Sequence, residues 1–194
     1  MSSGPERRTD AGGPQTLKGV LDRVLTDARA AGRLPEAMRL LGDGELRLAQ
    51  LAARLGLDRR TGTVGGRPFP TAALITALDA DTVTLTGRWG PDLLERAGAR
   101  PLGPAPGEAD AVWSWEALGG AAPAVVILAI SGELPVDVGD RIRKGVPGVR
   151  VCALDGALVN RPGPALVRTV ELLAEAVHGA ASGVEAGPDA PRPL

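Results

Sequence analysis

Apolar residues in the first third of the chain recur at spacings of three and four, which is the period of an amphipathic α-helix. One such face begins at Leu17, directly after Thr16, a residue type that caps helix N-termini. A longer face follows and ends at Gly56, and we expect Gly42-Asp43-Gly44 to kink or break this second helix. The pattern therefore predicts two N-terminal helices over 16–57.

From residue 71 onward, short apolar runs alternate with helical periods. The runs at 71–78, 124–130 and 149–154 are predicted strands, and 82–86 is either a further strand or an extended loop. The helical periods lie at 91–97, at about 136–145 and at 165–178. Alternating strands and helices joined by right-handed crossovers build a parallel sheet that is covered on both faces. The sequence thus predicts an α/β fold: a three-layer domain with a mostly parallel sheet of about four strands and helices on both faces, preceded by the two N-terminal helices.

The two ends of the chain have a different composition. Residues 1–15 and 179–194 are rich in glycine, proline and alanine or polar residues, so we expect them to be disordered tails. The α/β lobe would then span 58–178.

One predicted loop is a candidate ligand contact. The segment 154–164 follows a predicted strand, and its prolines, Pro162 and Pro164, hold φ fixed around the permissive Gly163. Ligands of open α/β folds bind at the carboxyl ends of the strands. Arg161 is the one long charged donor in this loop.

The charge and the cysteine content limit the expected binding partners and the expected cellular compartment. The chain has 22 basic and 23 acidic residues, a net charge of −1, which gives no electrostatic case for nucleic acid or an anionic membrane. The longest apolar run, 121–130, is too short to span a bilayer. No apolar stretch that could form the core of a signal peptide follows the polar start, so we expect a cytoplasmic protein without membrane insertion. The single cysteine, Cys152, allows no intramolecular disulfide and fits that compartment.

Catalytic chemistry has few candidates. Cys152 lies mid-strand and His178, the only histidine, closes the last helix, so the two cannot form a zinc site. No phosphate-binding glycine loop and no nucleophile elbow is present. Loop carboxylates could cluster at strand ends, but solvated charges and helix caps are the simpler interpretation; they are Asp79, Asp81, Asp92 and Glu133. We therefore expect no enzyme and no bound metal.

Residues 48–61 resemble the first half of a helix-turn-helix motif. DNA binding by that motif needs a recognition helix next. The residues that follow are Gly62, Gly65, Gly66, Pro68 and Pro70, which cannot form one. The simpler interpretation is a packing helix that ends at Gly56.

Trp89 admits two interpretations. Glycines flank it between a predicted strand and a helix start, so its ring could be partly exposed and stack on a flat ligand. Alternatively, it is a loop tryptophan folded onto the core. We expect Trp113 and Trp115 to be packing residues.

Four stretches keep the order and spacing of motifs that occur together in one family. Residues 87–98 resemble Gly-x-Trp-x-Pro-Glu-Leu-x-x-x-Ala-Gly, and 113–127 resemble Ser-Trp-Glu-x-Leu followed by Pro-Asp-x-Ile-Ile. Ser131-Gly132 stands where that family often has Cys-Gly. Residues 160–164, with 171–174 and His178, are similar to its Arg-Pro-Gly-Pro loop and closing helix. This chain therefore resembles the second, C-terminal lobe of the cobalamin-binding, class III substrate-binding proteins of ABC importers.

The resemblance covers about 71–178, and the helix at 36–56 resembles the family's interlobe helix. It implies a lobe like those of periplasmic binding proteins, which binds vitamin B12 (cobalamin) or a similar corrinoid and is not an enzyme. The residues placed on the ligand-facing edge by resemblance are Trp89, Ser131, Gly132, Asn160 and Arg161. Arg161 would donate to a propionamide or phosphate, and Trp89 would pack on the ring.

Departures from the family pattern shape the expected function. Ala124, Ala165 and Glu133 replace the expected aspartate, arginine and aromatic residue. Only helices precede residue 71, so nothing in these residues corresponds to the first lobe. We expect weak binding of a tetrapyrrole-sized ligand, or binding completed by a separate first-lobe or importer partner. The alternative is a lobe without ligand that acts as a protein–protein interaction module or forms a homodimer.

Overall fold

The computed structural model describes residues 15–182 and 190–194. Two helices come first, α1 (Leu17–Ala30) and α2 (Leu34–Leu55). Thr16 Oγ1 accepts a hydrogen bond of 3.1 Å from the Gly19 amide, which confirms its predicted capping role. The tail predicted over 1–15 falls almost entirely on residues 1–14, outside the described residues.

Helix α2 runs through Gly42-Asp43-Gly44 as one continuous helix, so the predicted break was wrong. Gly44 has a packing reason instead: a Cβ there would lie 2.8 Å from Cγ2 of Val167 on the last helix. The missing side chain lets the two helices approach closely. Burial of Leu48, Leu51 and Leu55 then stabilises α2, at about 1.5–3 kcal/mol for each fully buried leucine.

After α2, Gly56 adopts the left-handed conformation with φ 61° and ends the helix. The next residues form a small antiparallel sheet: β1 (Leu57–Asp58), β2 (Thr63–Val64) and β3 (Arg67–Pro68). No recognition helix follows α2, in agreement with its interpretation as a packing helix.

The main sheet has seven strands. They are β4 (Thr71–Leu78), β5 (Thr82–Leu85), β6 (Arg100–Pro101), β7 (Ala111–Ser114), β8 (Val125–Ile130), β9 (Arg150–Asp155) and β10 (Arg192–Pro193). Their order is β10-β9-β8-β4-β5-β7, with β6 beside the start of β4. Strands β9, β8, β4 and β6 are parallel, whereas β5, β7 and β10 run antiparallel to their neighbours.

The remaining helices are α3 (Gly90–Arg96), α4 (Trp115–Ala121), α5 (Val138–Gly145), α6 (Gly156–Asn160) and α7 (Leu166–His178). One face of the sheet packs against α1, α2, α3, α6 and α7, and the other against α4 and α5. The three-layer α/β fold predicted from the sequence is thereby confirmed. The parallel part is the core that the apolar runs predicted, and the additional strands are short or lie at an edge.

The C-terminal segment differs from the prediction. Gly179–Ser182 form a short 3-10 helix, and Arg192 and Pro193 pair with Ala153 and Cys152 of β9. These parts of the predicted tail over 179–194 are therefore built into the fold, and residues 183–189 lie outside the described residues. Within the described ranges, no helix is both long and apolar enough to cross a membrane.

Candidate functional site

The carboxyl ends of β8 and β9 lie side by side. In their parallel register Ile130 is opposite Asp155, so the residues after each strand leave the sheet at the same edge. Ser131 and Gly132 follow β8, and both are exposed. Gly132 has φ 111°, a backbone conformation that favours glycine. The fold therefore brings this dipeptide next to the segment that follows β9.

The segment after β9 begins with a helix and not with the loop that the sequence predicted. Asp155 Oδ1 accepts a hydrogen bond of 2.9 Å from the Ala157 amide and caps α6 at its N-terminus. The irregular loop starts only at Arg161. The glycine and proline content had suggested a loop for all of 154–164, but a side-chain cap and apolar Leu158 and Val159 suffice for one helical turn.

Gly156 holds α6 against the end of β8. A Cβ at this position would lie 2.7 Å from both the Ala129 carbonyl oxygen and the Ser131 amide nitrogen. Such contacts are too short for any side chain, so glycine is required by the close approach of the two backbones. The helix that leads to Asn160 and Arg161 is consequently in contact with Ser131.

The carbonyl groups at the end of α6 are bound by side chains from elsewhere in the fold. Trp89 Nε1 donates a hydrogen bond of 2.8 Å to the Val159 oxygen, and Thr169 Oγ1 donates one of 2.8 Å to the Leu158 oxygen. These bonds satisfy two carbonyls that a helix C-terminus leaves without intrahelical partners. They fix the direction in which the chain leaves α6.

Trp89 is therefore not a ligand-stacking surface in this structure. Its side chain belongs to the core cluster, and the residue is only 7% exposed. Of the two interpretations of its sequence context, the structure fits a tryptophan folded onto the core. Its connection to the candidate site is through Val159.

Asn160 and Arg161 are exposed at the end of α6. Neither side chain makes a hydrogen bond or ion pair with another of the described residues. As far as the described residues are concerned, the guanidinium of Arg161 thus has all its donors available at the edge that Ser131 and Gly132 share. A ligand with carbonyl, carboxylate or phosphate oxygens could accept from it.

A shallow cleft of about 350 Å³ opens near the end of β4, on the face of the sheet covered by α5. Its lining is Leu78, Asp79, Ala80, Trp115, Pro135, Asp137, Val138 and Arg141. Arg141 lies with its guanidinium carbon 4.4 Å from the centre of the Trp115 ring and donates to the Ala80 carbonyl. Trp115 Nε1 donates to the Asp79 carbonyl at 3.3 Å.

None of the five predicted site residues lines this cleft. The sequence assigned Trp115 to packing, and its pairing with Arg141 depends on a contact between two helices that no local pattern reveals. Ser114, directly before Trp115, caps α4: its Oγ accepts a hydrogen bond of 3.1 Å from the Ala117 amide.

Three of the residues considered for catalysis, Cys152, His178 and Asp92, lie apart from this edge or have structural partners. Burial raises the pKa of the Cys152 thiol, since a thiolate would lose its solvation, and Cys152 is opposite Ile127 in mid-strand. His178 Nε2 is 2.9 Å from the Ala97 carbonyl oxygen. Asp92 Oδ2 accepts from the Leu17 amide at 2.9 Å and so caps α1. Among the described residues, no three His, Cys, Asp or Glu side chains group as metal ligands.

No protein-family model matches this sequence. No curated protein matches it either. Solved structures, in contrast, do match this chain. A periplasmic heme-binding protein from Pseudomonas aeruginosa superposes with a TM-score of 0.67 at 22% identity, over 93% of this chain and 66% of that one. The periplasmic heme-binding protein BhuT, in complex with two hemes, gives 0.64 at 21% identity, over 87% of this chain and 65% of that one.

A third match is the siderophore-binding protein FhuD from Vibrio cholerae with bound Fe³⁺–Desferal. Its TM-score is 0.61 at 18% identity, over 85% of this chain and 64% of the other. This chain spans less than two thirds of the length of each of these three structures. At such identities the likeness shows the fold, which is shared with periplasmic substrate-binding proteins. The cobalamin-binding family, the second-lobe assignment, the domain boundaries and the cytoplasmic location stay predictions.

Proposed function

We propose that this chain is a non-enzymatic binding lobe related to the substrate-binding proteins of ABC importers, and that it binds a cobalamin or another tetrapyrrole-sized ligand at the carboxyl ends of β8 and β9. The solved structures with this fold include proteins named for heme and for an Fe³⁺ siderophore, which are ligands of comparable size. The sequence motifs around 87–98 and 160–164 resemble those of cobalamin-binding members.

The observation that carries the proposal is the position of Arg161. Its side chain is exposed and has no partner among the described residues, and α6 holds it at the edge where Ser131 and Gly132 emerge. An arginine can donate to amide, carboxylate or phosphate oxygens on the periphery of a corrinoid. The Asn160 amide and the Ser131 hydroxyl add polar groups along the same edge.

Because the site residues at this edge are exposed, a ligand bound to them would contact this chain on one side only. Ser131, Gly132, Asn160 and Arg161 lie on the surface and do not line the cleft described above. The nearby cleft, at about 350 Å³, is near the lower limit of small-molecule sites, which are roughly 300–1,000 Å³ and enclose most of their ligand. Tight binding then needs a second wall, from another segment of polypeptide or from a partner chain.

Trp89 contributes indirectly in this account. Its hydrogen bond to Val159 holds the end of α6, so the indole positions Asn160 and Arg161 without touching the ligand.

Calorimetric titration with cyanocobalamin, and separately with hemin, tests the proposal. We expect weak saturable binding of at least one of them, and a loss of about tenfold in affinity in Arg161→Ala, since a charge-assisted hydrogen bond contributes about 1.5–3 kcal/mol. Arg161→Lys should retain part of the affinity. Arg59→Ala, which removes an exposed arginine from the turn between β1 and β2, is the matched control and should bind like the wild type. Equal affinity of Arg161→Ala and the wild type, or no binding of either compound at about 1 mM, would overturn the proposal.

A second candidate function is protein–protein interaction through the same edge. Val136 is fully exposed beside the cleft residue Pro135, and an exposed aliphatic side chain in a strand-end loop suits a protein contact. A complex or homodimer that is lost in Val136→Asp, with no response to tetrapyrroles, would favour this function over ligand binding.

A further inference from the structure

The exposed charged side chains around the small sheet are mostly arginines. They come from the last turn of α2, from the turn between β1 and β2, from β3 and from β6. All of them are exposed: Arg54, Arg59, Arg60, Arg67 and Arg100. None makes a side-chain hydrogen bond, ion pair or ring contact with another described residue. Within the described part of the chain, their positive charges are therefore not compensated by a direct contact.

Backbone pairing holds these five arginines in one region. The small sheet joins the β1–β2 turn to β3. The Gly65 amide donates to the Gly56 oxygen at 3.1 Å, which fixes the sheet to the end of α2. The Arg100 amide donates at 2.9 Å to the oxygen of Pro70, the residue before β4. The five side chains thus form one surface at the amino end of β4, which we call the arginine surface.

Few carboxylates lie near the arginine surface. Asp58 Oδ1 accepts hydrogen bonds from the Arg60 and Thr61 amides, at 2.9 and 3.3 Å, and so stabilises the β1–β2 turn. Glu95 lies near the end of α3. With both carboxylates ionised, the arginine surface still has an excess of three positive charges. The net charge of −1 for the whole chain therefore conceals a local positive excess.

The opposite end of the main sheet has the opposite sign of charge. Its exposed acidic residues include Asp79 after β4, Glu133 and Asp137 after β8, and Asp155 at the end of β9. Because β4, β8 and β9 are parallel, these carboxylates lie at the carboxyl edge, away from the arginine surface. The molecule consequently has an acidic end, which includes the candidate ligand site, and a basic end.

The arginine surface has no apolar centre. Among the described residues, none of the large hydrophobic side chains that are exposed belongs to it; they are Met38, Leu40, Leu46, Val112 and Val136. The cleft beside Trp115 is lined by other residues as well. Protein interfaces usually have an apolar core, and single-stranded nucleic acids are bound on aromatic platforms. Spread positive charge without either feature is suited to a surface of dense negative charge.

We propose that the arginine surface binds the anionic headgroups of a lipid bilayer, with the amino end of β4 toward the membrane and the carboxyl edge away from it. A guanidinium donates two parallel hydrogen bonds to a phosphate or carboxylate group. Each arginine near an anionic leaflet increases the partitioning of a protein about fivefold. Because no apolar group is available to insert, the binding is reversible and depends on salt. The inference does not depend on ligand binding at the carboxyl edge.

Co-sedimentation with lipid vesicles tests the proposal. We expect the wild type to bind vesicles of equal parts phosphatidylserine and phosphatidylcholine at low salt, and not vesicles of phosphatidylcholine alone. Most of this binding should be lost at about 1 M salt, where charges are screened beyond roughly 3 Å.

The double variant Arg59→Ala/Arg60→Ala locates the contact. It should lower the partition coefficient for the anionic vesicles by roughly 30-fold, since two arginines are removed. Arg29→Ala/Arg33→Ala is the matched control, because it removes two exposed arginines near the turn between α1 and α2 and changes the net charge equally. The control should bind like the wild type. Circular dichroism confirms that both variants are folded.

Three results would contradict the proposal: no binding to the anionic vesicles at low salt, equal binding to the neutral vesicles, or equal losses in the two double variants. Equal losses would show that the total charge determines binding and that the arginine surface does not. Competition with duplex DNA separates a second class of partner. Displacement of the protein from the vesicles by DNA at equal phosphate concentration would assign the arginine surface to nucleic acid and overturn the membrane assignment.

Discussion

Trp89 and Val159 are 70 residues apart in sequence and are joined by a hydrogen bond of 2.8 Å from the indole nitrogen to the backbone carbonyl oxygen. The bond links the start of α3 to the end of α6. It is buried, so neither group can exchange its partner for water. The position of Arg161, two residues after Val159, follows in part from this contact.

Trp89→Phe should lower the free energy of unfolding by about 1–3 kcal/mol, because it leaves the buried Val159 carbonyl without a donor. Urea denaturation followed by circular dichroism measures the change. Trp113→Phe is the control: Trp113 is half-buried and its indole nitrogen has no hydrogen bond within the described residues, so its loss should cost clearly less. Equal effects of the two substitutions would show that the hydrogen bond to Val159 contributes nothing.

Gly156→Ala should destabilise the protein by about 1–3 kcal/mol, since the new Cβ would overlap the backbone of Ala129 and Ser131. Gly120→Ala is a matched control in α4, where a Cβ meets no atom within 4 Å. That substitution should be neutral or stabilise by up to about 1 kcal/mol through helix propensity. Thermal melts of both variants measure the difference in stability. A Gly156→Ala protein as stable as Gly120→Ala would contradict the close approach of the Gly156 backbone to Ala129 and Ser131.

Arg47 and Glu171 join α2 to α7 through a two-pronged ion pair, with Arg47 Nε donating to Glu171 Oε1 at 2.9 Å. The Glu171 side chain is 9% exposed, whereas that of Arg47 is 51% exposed, so solvent screens part of the attraction. Arg47→Ala should cost about 1 kcal/mol, because it leaves a mostly buried carboxylate with only the Arg168 guanidinium, at 3.3 Å.

The control for Arg47 is on the same helix. Arg39 pairs with Asp43 at 3.0 Å, but both side chains are exposed, so Arg39→Ala should change the free energy of unfolding by less than about 0.5 kcal/mol. If chemical denaturation gives the same loss for both alanine variants, burial of Glu171 has no energetic consequence.

His178 should make stability depend on pH. Burial lowers the pKa of His178 below its ordinary 6.5, because the charged ring would lose solvation, and the nearby Arg150 acts in the same direction, while the hydrogen bond to Ala97 partly opposes both. The unfolded chain therefore takes up a proton first as the pH falls through 6.5. The stabilisation is complete above 6.5 and is lost as the pH falls toward the lower folded pKa.

Urea midpoints at about pH 7.5 and 5.5 measure this effect, since carboxylates titrate mostly below that range. The wild type should lose stability on acidification. His178→Gln keeps a donor for Ala97 but cannot titrate, so its midpoint should change much less. A wild-type midpoint that is constant or rises on acidification would contradict the direction of the pKa shift.

The sequence predicted those elements whose determinants are local. Thr16 marked the start of α1 correctly because its capping bond to the Gly19 amide spans only three residues. The apolar run at 124–130 appeared as a central strand because a strand buried on both faces has no polar side. The small sheet at 57–68 escaped detection, since its strands have two residues each.

The candidate site was less predictable, because its geometry depends on contacts between distant residues. The environment of Trp89 includes its hydrogen bond to Val159, and the reason for glycine at position 44 is the close approach of Val167. Likewise, residues 190–194 have the composition of a tail, and two of them form a strand by pairing with the edge of β9. The sequence does place Arg161 after a strand, which was enough to assign it to the carboxyl edge.

The most direct measurement of the central claim is a map of backbone amide chemical shifts during titration with cyanocobalamin. The account predicts that the largest changes occur at Ser131, Gly132, Asn160 and Arg161, and that they are much smaller in Arg161→Ala at the same ligand concentration. Residues of the small sheet, 57–68, should not respond. Shifts confined to other surfaces, or a spectrum that is unchanged with saturating ligand, would contradict a binding edge formed by the ends of β8 and β9.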